Sequence, residues 1–230
     1  SLVAFAEDAD VENVDAGNTV RAMTDLAREY SQVDALHRGL PDFPRSFTGK
    51  GVLIGVIDTG FDFMHPAFRD AEGNSRIIHV WDQSGRNGNT PSMGYGVVFD
   101  TPELIRSAAH DVSRDTHGTH VAAIAASSAD VYKGMAPESD IVVVATDKSE
   151  SGIIDALAYL LDYAEKEKKP MAINLSMGTV IGFKDGTDPI ASMIDELLDK
   201  SGKKCLMAIA AGNEGHRNST IVTEAEGQGE

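Results

Sequence analysis

The feature that most constrains the fold of this chain is a regular alternation of short apolar runs with longer amphipathic segments, starting near residue 51. Each apolar run is rich in aliphatic and β-branched residues, a pattern typical of strands buried on both faces of a sheet. Five strands are predicted in this way: GVLIGVID (51–58), RIIHVWD (76–82), DIVVVATD (140–147), MAINLS (171–176) and KCLMAIAAGN (204–213).

Helical segments separate most of these strands. Thr101-Pro102-Glu103 predicts the start of a short helix, because a capping threonine is followed by a proline and an acidic residue in the first turn. Three further helices are predicted: HGTHVAAIAAS (117–127), SGIIDALAYLLDYAEKEKK (151–169, capped by Ser151) and DPIASMIDELLDKSG (188–202). Residues 84–96 are predicted to form a long loop. This alternation predicts an α/β fold with a mostly parallel sheet that is flanked by helices on both faces.

The first 48 residues are predicted to be a separate region. Residues 1–18 are acidic and lack any periodicity, whereas VRAMTDLAREYSQVDALHR (20–38) predicts one helix that begins after Thr19 and stops at Gly39. A proline-rich connection follows this helix. We therefore expect an N-terminal extension with one helix over residues 1–48 and a domain over residues 49–230.

Charge and hydropathy argue against several classes of protein. The formal net charge is −16, so the chain would be repelled by the phosphate backbone and nucleic-acid binding is not expected. No apolar run approaches the length that spans a bilayer, so no membrane span is expected. Cys205 is the single cysteine and cannot form an internal disulfide; its apolar context predicts a packing role.

Polar residues lie at the carboxyl ends of three of the predicted strands, at the edge where a parallel sheet gathers its ligands and reactive groups. These residues are Asp58, the Asn174–Ser176 segment and Asn213. The helix that starts at His117 can present its first turn to the same edge. We therefore expect the Asp58 carboxylate to face the His117 imidazole, an arrangement that can activate a hydroxyl nucleophile.

Three other interpretations fit only parts of these motifs. His117 and His120, three residues apart, could bind a metal with Asp115, but a metal site needs further ligands nearby. Asp58-Thr59-Gly60 also fits an aspartic protease, which requires a second carboxylate of the same kind, and no second Asp-Thr-Gly follows. A dinucleotide-binding domain is disfavoured because GVLIGVIDTG lacks the Gly-x-Gly-x-x-Gly turn.

Five blocks in order resemble the subtilisin-like serine proteases, or subtilases: GVIDTGFDFMHP, DTHGTHVAAIAA, GMAPESDIVVV, INLSMGT and AIAAGNEG. The resemblance covers residues from about Gly49 to Gly215. RIIHVWDQ, MGYGVVFDTPELIRSAAH and GNEGHRNST further resemble the branch with the clostridial spore-germination subtilases. The resemblance implies a bacterial hydrolase with a subtilisin-like three-layer sandwich, protein or peptide substrates, and secretion or attachment to the cell envelope.

The resemblance also implies roles for individual residues. Asp58 matches the orienting acid, His117 the general base and Asn213 the side-chain donor of the oxyanion hole. The segment Ser176, Met177 and Gly178 matches the strand that pairs with the substrate backbone and forms a wall of the specificity pocket. His120 is then expected to pack behind the site. Many subtilases have an acidic calcium ligand where Ala67 stands, so neither a metal nor another cofactor is expected.

The family's nucleophilic serine lies in a Gly-Thr-Ser-Met-Ala-like segment well beyond the oxyanion asparagine. After Asn213 the only serine is Ser219, in the polar context HRNST, which does not match that segment. We therefore expect the N-terminal part of a catalytic domain, incomplete at its C-terminal side and inactive alone. An exposed apolar strip should then favour self-association. The alternative is a pseudoprotease that keeps the fold as a protein-binding module.

Overall fold

The computed structural model describes residues 24–39, 45–113, 115–178, 186–202 and 204–213, with the backbone alone for residues 24–26. Six strands are present in these ranges: β1 (Leu53–Asp58), β2 (Ile77–Asp82), β3 (Val97–Phe99), β4 (Asp140–Ala145), β5 (Met171–Leu175) and β6 (Cys205–Ile209). The six α-helices of the same ranges are α1 (Thr24–Tyr30), α2 (Val33–Arg38), α3 (Pro102–Ala108), α4 (His117–Ala126), α5 (Glu150–Glu167) and α6 (Pro189–Lys200).

The strands form one sheet in the order β3-β2-β4-β1-β5-β6. All neighbours are parallel except β2 and β3, which pair antiparallel at one edge. The central strand β1 ends at Asp58, opposite Ala145 of β4. The carboxyl ends of β1, β4 and β5 therefore meet at one edge of the sheet. The polar residues that the sequence places at strand ends lie along this edge.

Helices cover both faces of the sheet, as the sequence predicts. Side chains of β1 alternate between the two faces, so Leu53 and Ile57 join one buried cluster and Ile54 and Val56 join the other. Helices α5 and α6 pack on the first face, and α4 packs on the second through small residues such as Ala122. The α/β architecture with a mostly parallel sheet is thus confirmed, and its layers bring the starts of three helices to the carboxyl edge.

The N-terminal region differs from the single predicted helix. Within the described part, α1 and α2 are separated at Ser31 and Gln32, where Gln32 takes a left-handed conformation (φ 59°). The Ser31 hydroxyl donates to the Ala27 carbonyl at 2.6 Å, a side-chain bond that competes with helix continuation. Residues 1–23, which include Thr19, lie outside the described residues.

Two further details differ from prediction. Strand β3 lies directly after the predicted long loop and was not predicted. It is held by its hydrogen bonds to β2, and a segment of three residues is too short for its own sequence to indicate such a pairing. The N-cap of helix α5 lies two residues earlier than predicted, because Ser149 rather than Ser151 is the N-cap and accepts the Gly152 amide at 2.9 Å. Of the helices in the described ranges, none has the length and apolarity that crossing a membrane requires.

Candidate active site

The centre of the site is a direct contact between Asp58 and His117. The Nδ1 atom of His117 lies 2.8 Å from Asp58 Oδ1 and 2.9 Å from Oδ2. The Asp58 side chain is fully buried at the end of β1, whereas the His117 side chain is 48% exposed. One ring nitrogen therefore faces a buried carboxylate and the other is left accessible, which is the geometry that fixes one imidazole tautomer.

Two glycines allow the loop after β1 and the start of α4 to interlock. Gly60 has φ +82°, and a Cβ there would lie 2.4 Å from the Asp115 carbonyl carbon. A Cβ on Gly118 would lie 2.7 Å from the Phe61 ring. Because neither position has room for a side chain, the two segments approach closely, and Gly118 N donates to the Thr59 carbonyl at 2.7 Å.

Asp111, which lies outside the five subtilase-like blocks, and Thr119, which lies inside one of them, hold this arrangement. The Asp111 carboxylate accepts the amides of Gly60 at 2.8 Å and Phe61 at 3.1 Å. Burial raises the pKa of Asp111, and these two amide hydrogen bonds oppose the rise. Thr119 donates its hydroxyl to the Gly60 carbonyl at 2.9 Å. Asp111 was not identified from the sequence, because no local pattern signals a contact across 51 residues.

Asp115 organises the first turn of α4. Its Oδ1 atom accepts the Thr116 amide at 2.7 Å and the His117 amide at 3.2 Å. The hydrogen bond from the Thr116 amide is the main reason why the pKa of Asp115 is lowered. The carboxylate thus occupies free amides at the start of the helix that carries His117.

A cavity of about 880 Å³ opens beside the Asp58–His117 pair. It lies between the starts of α5 and α6, with Leu175 of β5 and Ile209 of β6 beneath. Further lining residues are Lys148, Glu150 and Ile153 on one side and Pro189, Ile190 and Ile194 on the other. The cavity is therefore partly apolar and large enough for several side chains of a ligand.

The structure brings four of the six predicted site residues to this cavity: Asp58, His117, Met177 and Gly178. Ser176 lies beside them, and its hydroxyl accepts a hydrogen bond from the Asn174 side chain at 2.9 Å. Asn213 lies beyond the end of β6, three residues after Ala210, which also lines the cavity. These positions place the six residues along one edge of the sheet.

The expectation for His120 was wrong. Its side chain is exposed on the outside of α4, so it does not pack behind the site. Of the two histidines in the motif, His117 is the one that contacts the buried Asp58 carboxylate. Within the described ranges, no group of three or more His, Cys, Asp or Glu side chains is arranged to hold a metal ion.

Comparison with known proteins gives matches over most of the chain. The model of the subtilase family, Peptidase S8, matches residues 49–228. Subtilisin-like protease PopC of Myxococcus xanthus is 30% identical over 185 residues, covering 73% of this chain and 34% of that protein. Serine protease AprX of Bacillus subtilis is 27% identical over 232 residues, covering 95% of this chain and 45% of that protein.

Solved structures agree with these relatives. The Clostridium perfringens CspB protease superposes with a TM-score of 0.59 at 32% identity, covering 74% of this chain and 38% of that protein. Sphericase superposes with a TM-score of 0.53 at 22% identity, covering 82% of this chain and 54% of that protein, and supports the fold. This chain thus spans between 34% and 45% of the length of PopC and AprX. The family model covers most of the chain, and the chain belongs to the subtilase family.

Proposed function

We propose that this chain supplies the acid and the base of a serine endopeptidase, with the nucleophilic serine outside these 230 residues. The observation that carries the proposal is the contact of His117 Nδ1 with both oxygens of the buried Asp58 carboxylate, at 2.8 and 2.9 Å. Peptide substrates would occupy the adjoining cavity. The greater length of the matched relatives supports a serine elsewhere in the protein.

In this proposal the pair works through one tautomer of His117. The Nδ1–H group of His117 donates a hydrogen bond to the Asp58 carboxylate and keeps its proton, so the lone pair on Nε2 is free to take the proton of the serine hydroxyl. As the serine oxygen bonds to the scissile carbonyl carbon, the proton moves to Nε2 and Asp58 stabilises the imidazolium. His117 then gives that proton to the leaving amine as the carbon–nitrogen bond breaks.

The remaining predicted residues are assigned to substrate binding and charge stabilisation. Asn213 is proposed to donate its side-chain amide to the developing oxyanion. Ser176, Met177 and Gly178 are proposed to pair with the backbone of an extended substrate, with Met177 as an apolar wall. Support comes from Met177 and Gly178, which line the cavity beside His117. The 230-residue chain alone is expected to be inactive.

The test compares variants of the longer protein that contains this chain and a candidate serine. His117→Ala should abolish labelling by a fluorophosphonate and lower peptide hydrolysis by about 10⁶-fold, the loss known for subtilisin. Asp58→Asn should lower hydrolysis by about 10⁴-fold, because the imidazole is left in the wrong tautomer.

His120→Ala is the matched control, because His120 lies one turn further along the same helix and is exposed. It should retain labelling and peptide hydrolysis within about twofold, as is usual for a surface substitution. A longer wild-type protein that is neither labelled nor active would refute the proposal and favour the pseudoprotease alternative.

A further inference from the structure

Gln83 lies behind the candidate cavity and joins two loops. It follows β2 directly, is 6% exposed, and its backbone amide donates to the Ala145 carbonyl of β4 at 2.9 Å. Its side chain reaches the loop after β4: Nε2 donates to the Gly152 carbonyl at 2.7 Å, and Oε1 accepts the Asp147 amide at 3.1 Å. One buried side-chain amide thus binds both ends of residues 147–152, which comprise the end of the β4–α5 connection and the first three residues of α5 and are called the Asp147–Gly152 loop.

The loop itself holds a conformation that its backbone would not favour alone. Lys148 has φ +66°, in the left-handed region that non-glycine residues rarely adopt. Inside the loop, Asp147 Oδ1 accepts the Ser149 amide at 2.8 Å and the Ser149 hydroxyl at 2.7 Å. A Cβ on Gly152 would lie 2.3 Å from Asp147 Oδ1 and 2.9 Å from Gln83 Oε1. The loop is therefore closely fitted around the Gln83 side chain.

This loop forms one wall of the cavity beside the Asp58–His117 pair. Lys148 and Glu150 line the cavity, as do Met177 and Gly178 from the segment after β5. Any shift of the loop would change the shape of this cavity without a direct change at His117. Gln83 itself is not among the residues that line this cavity, so its side chain acts on the cavity through the loop that it holds.

We infer that Gln83 is a positioning residue for substrate binding, which fixes the Asp147–Gly152 loop as a wall of the candidate active-site cavity. The inference rests on the proposed protease function. It predicts a loss that depends on the substrate: an extended peptide needs this wall, whereas a small acetyl ester needs only the nucleophile, the base and the oxyanion donors.

The experiment measures steady-state kinetics of the longer protein with a tetrapeptide anilide and with p-nitrophenyl acetate. Gln83→Met keeps the length of the side chain and removes both hydrogen bonds. It should raise KM for the peptide about tenfold, since a misplaced binding group weakens binding, and leave kcat/KM for the ester within about twofold. Equal losses for both substrates, or an unchanged peptide KM, would overturn the inference.

Two further variants separate positioning from stability. Ser139→Ala removes a buried hydroxyl that donates to the Ala136 carbonyl at 2.8 Å, before β4 and at the opposite end of the sheet; it should leave both substrates unaffected. If Gln83→Met does not fold, Asp147→Ala, which changes an exposed residue of the same loop, should raise the peptide KM selectively. Failure of Asp147→Ala to do so would overturn the inference.

Fluorophosphonate labelling of the wild-type protein distinguishes the two levels of the proposal. Absence of labelling would refute the protease function itself, whatever Gln83 does. Hydrogen exchange then measures how well the Asp147–Gly152 loop is held in place, and it does not require an active enzyme. Amides of residues 147–152 should exchange at least about tenfold faster in Gln83→Met than in Ser139→Ala, because local opening becomes easier. Equal exchange rates in the two variants would overturn the role of Gln83.

Discussion

His79 provides a prediction about the stability of the sheet in acid. It lies on β2, is 8% exposed, and packs against Tyr163 with the ring centroids 4.5 Å apart and the ring planes tilted by 33°. Its Nε2 atom lies 2.6 Å from the Tyr159 hydroxyl. Burial lowers the pKa of His79 to about 4; the charge of Asp100 opposes this shift and that of Lys166 adds to it.

The direction of the pH effect follows from this lowered pKa. Between pH 6.5 and pH 4 the unfolded chain binds a proton on His79 that the folded chain does not bind, so the free energy of unfolding falls as the pH falls. The pKa difference of about 2.5 units corresponds to about 3 kcal/mol between pH 7 and pH 4. This loss is fully absent above the ordinary histidine pKa.

The measurement is urea unfolding of the chain at several pH values between 7 and 4, for the wild type and for His79→Phe. Phenylalanine keeps an aromatic ring against Tyr163 but does not titrate. The wild type should lose about 3 kcal/mol more than His79→Phe over this range, because the other acidic groups are common to both. His120→Gln, which removes an exposed histidine, should follow the wild type. Parallel curves for wild type and His79→Phe would refute the argument that burial keeps His79 neutral.

Two other predictions concern packing. Gly118→Ala places a Cβ 2.7 Å from the Phe61 ring, so it should destabilise the fold by about 1–3 kcal/mol and reduce activity of the longer protein at least about 10²-fold. Ala123→Gly in the same helix should lower the stability measured by a thermal melt by about 1 kcal/mol but leave activity intact. Similar activity losses in both variants would contradict the prediction that Gly118 is required for the close approach to Phe61. Leu206 on the edge strand β6 is 74% exposed, so the chain should sediment as a dimer or larger species and Leu206→Lys should shift it toward monomer. Sedimentation of the wild type as a monomer would contradict the second prediction.

The five long strands could be predicted because burial on both faces leaves a local signal in composition. The pairing of Asp58 with His117 could also be predicted, since a strand end and a helix start of a parallel sheet share one edge. The break between α1 and α2 could not, because the residues around Gln32 keep a helical pattern through the turn. The Ser149 cap was missed for a similar reason, as Ser149 and Ser151 are equally good caps by residue type.

The chain's pattern of apolar runs determined the order of the five long strands, the two buried faces of the sheet and the residues available at its carboxyl edge. The hydrogen bonds that hold these residues in place are made between distant segments, and only the tertiary structure shows them. Asp111 binds amides 50 and 51 residues away, and Gln83 reaches a carbonyl 69 residues away. Such bonds depend on how closely loops approach once the sheet has formed. Local periodicity reports burial, but it carries no information about which buried polar group meets which partner.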